Sequence, residues 1–441
     1  MNEVQKDQQT KKSSRAWKRA GCIVGALAIA GGGFFAGFCA RWYSIDKEMR
    51  TLIDVKNKID SKYYEEITDE EFYGAIYDVV NHELLDSYSK YMTADEYAEA
   101  NSKDEGNRIG VGLVFVTSDN AGNPQLLITR VCGNSPAEKA GIVAGSYVTG
   151  FGASAENIQD SVIFDEFSSF IKQFEENESF YVRIVENGEE KIVKLCRGAY
   201  VENYVFYRTN TASYTMTGSG AEDLSVHGEP LTALDENTGY IRLLQFSGNS
   251  AEEFKGAMEK FRAEGKKNLV LDLRGNGGGD VEILREIAGY FCKNSTEKKP
   301  IVAVADYGEK REKFYAKGNY YKDYFTADSR IVALADGESA SATEALLGSM
   351  LDYGAITYQD ICLTEIDGVA KTFGKGIMQT TYQLHLFEKD AIKLTTAQIR
   401  WPLSDTCIHG RGILASDGTK TVAKDYRGDT ELIAALNALL G

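Results

Sequence analysis

Hydrophobic and polar positions follow different periods along the chain, and each period predicts a different kind of structure. From 21 to 40 no residue is charged, between Lys18-Arg19 and Arg41. At helical rise that run covers about 30 Å, one hydrocarbon core, and predicts one transmembrane helix. From 45 to 100 the spacing is helical. Thr68-Asp-Glu-Glu71 is a capping box opening a stripe of Phe72, Ile76, Val79, Val80 and Leu84, and Thr93-Ala-Asp-Glu96 repeats the signal before a short last helix. The polar stretch 104–107 marks a boundary.

Beyond it the pattern changes to short β runs, including Gly110-Val-Gly-Leu-Val-Phe115, Gln125-Leu-Leu-Ile-Thr-Arg-Val131 and Tyr181-Val-Arg-Ile-Val185. Asn134-Ser-Pro-Ala-Glu-Lys-Ala-Gly141 between them reads as a short helix start with a glycine stop. The stretch to about 235 carries no clear period. From Tyr240 strands and helices alternate: strands at 240–244, 268–273, 301–305 and 330–335, helices at 250–264, 280–290 and 342–351. Ser250-Ala-Glu-Glu253 is expected to cap the first of these helices. Such alternation predicts α/β layers joined by right-handed crossovers.

Charge orients the first run and limits the partners. Residues 1–20 hold six Lys/Arg against Glu3 and Asp7, while the whole chain carries −16. A basic tail before an apolar run predicts a cytoplasmic N-terminus and an extracytoplasmic remainder. Ala28-Ile29-Ala30 resembles a signal-peptidase site, but the apolar run continues for ten residues beyond it, which favours an uncleaved anchor. The acidic remainder is a poor match for phosphate backbones, so nucleic acid is not expected as a ligand. The seven cysteines are scattered with no C-x-x-C pair, and no His-Glu-x-x-His occurs among His82, His227, His385 and His409. Neither a metal nor any other cofactor is therefore expected.

Three segments carry candidate chemistry. The strand ending at Ala335 leads through Asp336-Gly-Glu-Ser339-Ala-Ser341-Ala-Thr343-Glu344 into a helix. Its hydroxyls either cap that helix or place a nucleophile beside unpaired amides. Lys371-Thr-Phe-Gly-Lys375-Gly-Ile-Met-Gln379 sets a lysine between glycines beside an apolar run. It is either a surface charge or a desolvated base. Leu271-Asp-Leu-Arg-Gly-Asn-Gly-Gly-Gly279 ends a buried strand in a glycine-rich turn, which fails as a dinucleotide fingerprint at Asp280 and reads better as an amide nest for an oxyanion.

In this order these segments resemble the C-terminal processing (tail-specific) protease family, S41-type serine peptidases with a PDZ domain. The resemblance runs from about residue 45 to the end. It includes Leu84-Leu-Asp-Ser-Tyr-Ser-Lys-Tyr91, Gly110-Val-Gly-Leu113, Ser135-Pro-Ala-Glu-Lys-Ala-Gly-Ile142, Leu394-Thr-Thr-Ala397 and Ile408-His-Gly-Arg-Gly-Ile413. It implies a crotonase/ClpP-like α/β protease core at 199–441 and an inserted PDZ-like β-rich domain at 105–198. Before these come a helical region at 41–104, one transmembrane helix at 21–40 and a cytoplasmic tail at 1–20. By resemblance the nucleophile is Ser341, the base Lys375 and its orienting residue Gln379. The oxyanion donors are the amides of Ala342 and Gly278, with Gly279 next in register. The PDZ loop Gly110, Val111, Gly112 and Leu113 would bind a peptide carboxylate. The implied partners are polypeptides with free C-termini, homo-oligomers being compatible with the pattern.

There are departures from that pattern. Asn276-Gly277 stands where the family has Asn-Pro, Ser146 where it has Asp, and Asp86-Ser87 where it has Asp-Pro; extra residues near 360–369 separate Ser341 from Lys375. None removes a catalytic group. A catalytically inactive PDZ scaffold and a crotonase-like acyl-CoA enzyme are the competing readings.

Overall fold

The computed structural model describes residues 41, 44–120, 123–160, 163–216, 222–224, 230–384, 389–424 and 430–440. The chain forms two compact units, residues 1–85 and 86–441. In the first, helix α1 (Lys47–Lys62) starts at Asp46, whose side chain accepts from Glu48 N–H. Helix α2 (Asp69–Val79) starts at a reciprocal Thr68–Glu71 capping box. Lys56 pairs with Asp60 at 2.8 Å and Asp69 at 2.5 Å, tying the two helices together.

The expectation of a membrane helix is corrected here. No helix among the described residues is long and apolar enough to cross a membrane. The first described helices are studded with Lys, Asp and Glu, which a hydrocarbon core would not accept. The run 21–40, to which the expectation was attached, lies outside the described residues. The described fold is mixed α/β, with no membrane-spanning helix among the described residues, and the single-pass, extracytoplasmic placement inferred from that helix is not supported.

The second unit begins with strand β1 (Lys90–Met92) inside the region read as helical, followed by helix α3 (Ala94–Asp104) behind a Thr93–Glu96 capping box. The chain then enters a β-rich lobe on strand β2 (Asn107–Gly110), which pairs antiparallel with the returning Gly198–Val201. Between them β3 (Leu113–Asn120), β4 (Asn123–Val131), β5 (Tyr147–Ser154), β6 (Ser179–Glu186) and β7 (Glu189–Cys196) form one sheet in that order. Their inward residues, with Phe167 of helix α4 (Phe164–Lys172), make a separate core including Ile128, Phe151, Phe180 and Ile184. Alternating burial along β6 shows why this part reads with period two.

The larger core holds an eight-stranded sheet. Strands β8 (Val205–Arg208) and β9 (Ser213–Met216) add antiparallel to its edge, in the stretch where the sequence shows no clear period. From β10 (Thr238–Leu243) the pairing is parallel through β11 (Asn268–Asp272), β12 (Ile331–Ala335), β13 (Ile361–Glu365) and β14 (Lys420–Ala423). All five residues of β12 are buried, because helices cover both faces of this sheet. One face packs helices α5 (Ser250–Ala263), α6 (Val281–Ile287) and α7 (Ala342–Asp352), and the other packs helix α8 (Thr430–Leu440). Ser250 opens α5, but Glu253 does not cap it. The Glu253 carboxylate is buried and accepts from the amides of Tyr204 and Val205, and burial raises its pKa to about 7. The adjacent C-terminal ends of β11 and β12 deliver the glycine turn and Ser341 side by side, the usual place for a site on a parallel sheet. A smaller sheet beside them carries a hairpin of Ile377–Gln383 and Ala391–Arg400, and β1 pairs with the second of these strands.

Candidate active site

Ser341 stands at the turn between β12 and α7 with φ 56° and ψ −115°. Such a backbone costs about 1–3 kcal/mol in a non-glycine residue and persists only where its surroundings hold it. Asn276 does the holding. Its carbonyl accepts from Ala340 N–H at 3.0 Å and Thr343 Oγ1 at 2.9 Å, while its side chain donates to Leu243 O. The neighbouring Ser339 is fully buried and donates to Leu273 O at 2.9 Å. Ser341, by contrast, is half-buried and lines a cavity of about 560 Å³.

The glycine turn forms another wall. A Cβ on Gly278 (φ 94°) would meet Ala340 O at 2.7 Å and Ala342 N at 2.8 Å, so only glycine lets this backbone approach the serine turn. The Gly278 amide is already donated to Asn276 Oδ1 at 2.9 Å. The amides of Gly279 and Ala342 carry no hydrogen bond among the described residues, and both residues line the cavity.

Lys375, Ile377 and Gln379 line the same cavity. Lys375 is half-buried, and loss of water lowers its pKa below the ordinary lysine value. Lys393 lowers it further by repulsion, while Asp86 and Glu344 pull the other way. Its Nζ lies 4.9 Å from the centre of the Tyr88 ring. Of the apolar residues next to the lysine in sequence, Ile377 and Met378 line the cavity, while Phe373 is 43% exposed and does not. Gln379 donates to Thr395 Oγ1 at 3.4 Å, and Thr395 N–H in turn donates to Ser89 Oγ at 2.8 Å.

Glu344, on the first turn of α7, is the group that motif reading missed as a functional residue. Its buried carboxylate accepts from Thr372 Oγ1 at 2.6 Å and from the amides of Gly374 at 2.8 Å, Lys375 at 2.9 Å and Ser341 at 3.1 Å. One side chain thus ties the serine turn to the lysine segment. Burial raises its pKa, and these four donors work against that rise. The signal was present locally, since Ser341-Ala-Thr-Glu344 has capping-box spacing; that its other donors come from the lysine segment was not readable. Tyr88, Asp86 and Lys393 were also missed, because each reaches the lysine from a distant segment.

Glu344→Gln places an NH2 donor where two amides need acceptors. Losing two charge-assisted hydrogen bonds of about 1.5 kcal/mol each predicts a roughly 100-fold fall in kcat/KM. Kinetics with a thermal melt would check it, and an unchanged kcat/KM would remove Glu344 from its positioning role.

The loop Gly110, Val111, Gly112 and Leu113 does not line this cavity. It joins β2 to β3 within the β-rich lobe. Its Val111 and Gly112 carbonyls are taken by the amides of Ala137 and Cys132 at 2.9 and 2.8 Å. Beside it the ring of Phe115 packs edge-on to Phe164 and Phe167 of helix α4. Among the described residues no cluster of His, Cys, Asp or Glu could hold a metal ion.

Comparison with known proteins places this site in context. The model of peptidase family S41 matches residues 237–416, which include the glycine turn, Ser341, Glu344 and Lys375. A "Probable CtpA-like serine protease" of Staphylococcus haemolyticus is 27% identical over 384 residues, covering 86% of this chain and 66% of that protein. The chain therefore spans a little under two thirds of that relative's length. A relative with the same description from Staphylococcus aureus is 26% identical over 419 residues, covering 92% of this chain and 74% of that protein. The crystal structure of an S41 protease from Bacteroides fragilis superposes with TM-score 0.52 at 15% identity, covering 86% of this chain and 91% of that one, which shows a shared fold. The segment that carries the serine turn and the lysine is thus similar to peptidase family S41.

Proposed function

We propose that this chain is a serine endopeptidase that cleaves polypeptides at or near their C-termini, with Ser341 as nucleophile and Lys375 as base. The observation that carries the reading is the placement of Ser341, a half-buried lysine and unbonded amides on the walls of one cavity. Neutral Lys375 takes the Ser341 hydroxyl proton as Oγ attacks the scissile carbonyl. The Ala342 amide, together with that of Gly279 or Gly278, holds the oxyanion. In this arrangement Gly279 is the better donor, because Gly278 must first leave Asn276. The lysine ammonium then protonates the departing amine, leaving an acyl-enzyme on Ser341. Water, deprotonated by Lys375, releases the acyl fragment and restores both groups.

Gln379 acts in this scheme through Thr395 and Ser89, fixing the strand behind the lysine. The β-rich lobe is PDZ-like in this reading. Its Gly110–Leu113 loop, beside the packed rings of Phe115 and Phe164, receives a chain-terminal carboxylate while the peptide adds as a strand. The inactive-scaffold reading is less favoured, since it gives no reason to keep a strained serine and a desolvated lysine on the walls of one cavity.

Rapid acid quench during turnover of an unfolded polypeptide, followed by mass spectrometry, tests the proposal. An acyl fragment on the peptide containing Ser341, with released C-terminal pieces, is expected. Release of fragments without acylation of Ser341 would overturn the assignment.

A further inference from the structure

A second cavity, of about 250 Å³, lies between the β-rich lobe and the core sheet. Three arginines line it: Arg130 from β4, Arg208 from β8 and Arg242 from β10. Arg208 lies opposite Tyr240, and Phe206 opposite Arg242, on neighbouring antiparallel strands, so both guanidinium groups stand on one face of the sheet. No acidic side chain is in the lining. Arg130 is satisfied in part by Glu202 at 2.8 Å. The Nε atoms of Arg208 and Arg242 are buried with no hydrogen-bond partner. Asp272, beside Arg242 in the parallel register, feels its charge, but its hydrogen bonds go to Arg274 at 2.6 Å and Tyr240 at 2.5 Å. Two neighbouring arginines with a buried, unused Nε donor each, beside the partly paired Arg130, are costly unless an anion joins them. In a chain of net charge −16 that grouping is not explained by general basicity.

The place of this cavity tells which anion. Leu244 lines both it and the catalytic cavity, and β10 runs from Tyr240 and Arg242 directly toward Leu244 and Phe246 at the glycine turn. An extended peptide advances ~3.3 Å per residue, so a substrate strand leaving the catalytic cavity past Leu244 reaches the arginines within a few residues. Resting on the peptidase reading above, we propose that Arg130, Arg208 and Arg242 form a subsite for a carboxylate of the polypeptide substrate a few residues from the scissile bond. That carboxylate comes either from the chain terminus or from an Asp or Glu side chain. Guanidinium groups suit either, since their N–H fork matches a carboxylate.

The test compares matched peptides of one sequence: free C-terminus against amide, and, in the amidated series, Glu against Gln scanned on both sides of the cut. Wild type is expected to favour the carboxylate member of one pair by about tenfold or more in kcat/KM, mainly through KM. The Arg208→Gln/Arg242→Gln double variant should bring that ratio close to one, and the Arg208→Lys/Arg242→Lys variant should keep most of it. The pair that responds identifies the source of the carboxylate. A ratio unaltered by the Gln variant, or absent in a wild type that cleaves the amidated peptides, overturns the subsite and leaves the peptidase reading standing. If wild type cleaves none of the peptides, the peptidase reading falls. Calorimetric binding of the same pairs to Ser341→Ala protein, with and without the arginine changes, then decides the subsite by itself.

Discussion

Ser341→Ala is expected to lower kcat/KM for peptide cleavage by about 10⁴-fold or more while leaving the fold intact, as loss of a nucleophile does elsewhere. The residue makes its structural contributions through its backbone, whose amide bonds to Glu344 and whose φ of 56° places the side chain in the cavity. Alanine keeps that amide and removes only the hydroxyl. Ser339→Ala is the control. Its hydroxyl donates to Leu273 O and accepts from Asp336 N–H at 2.9 Å, so its loss should cost stability, about 1 kcal/mol, with activity staying within about tenfold. Peptide kinetics and melting curves on both variants check the contrast. A folded Ser341→Ala protein with near wild-type turnover would end the nucleophile assignment.

Lys375→Arg should be as inactive as Lys375→Ala, because a guanidinium keeps the charge but cannot release its proton in the accessible range. The base must be neutral, so activity should rise with pH and level off above the lysine pKa. That pKa lies below its ordinary value, first through burial and then through Lys393. Removing Lys393 as a like charge, in Lys393→Gln, should raise the lysine pKa and shift the rising limb to more alkaline pH. Asp86→Asn removes a carboxylate that favours the ammonium, so it should shift the limb toward acid. Opposite displacements in the pH dependence of kcat/KM are thus expected from the two variants. A limb unmoved by both, or an active Lys375→Arg enzyme, would point to a different base.

Some of this was legible locally. The Thr68 and Thr93 capping boxes depend on residues three apart, and both form. Strands β11 and β12 read as continuous apolar runs because both faces of the sheet are covered. The turn after β12 announced small hydroxyl residues before a helix, although sequence left capping and catalysis as rival uses. Strand β8 was not legible, since it pairs with the distant β10 and its Arg208 lines the arginine cavity.

The membrane helix shows the limit of reading an apolar run by itself. Length and lack of charge made 21–40 a span, but no helix among the described residues can cross a membrane. What the sequence determined by itself is therefore what acts within a few residues: helix starts, strand period, and the glycine turn and serine turn as segments. Tertiary structure decided which segments meet. It turned Glu344 into the tie between Ser341 and Lys375, sent Gln379 to Thr395, and brought Tyr88 and Lys393 to the lysine. It also left the Nε atoms of Arg208 and Arg242 without a hydrogen bond beside Leu244. The physical reason is that hydrogen bonds, desolvation and charge act over ångströms in space, and neighbours across a sheet can stand hundreds of residues apart in the chain.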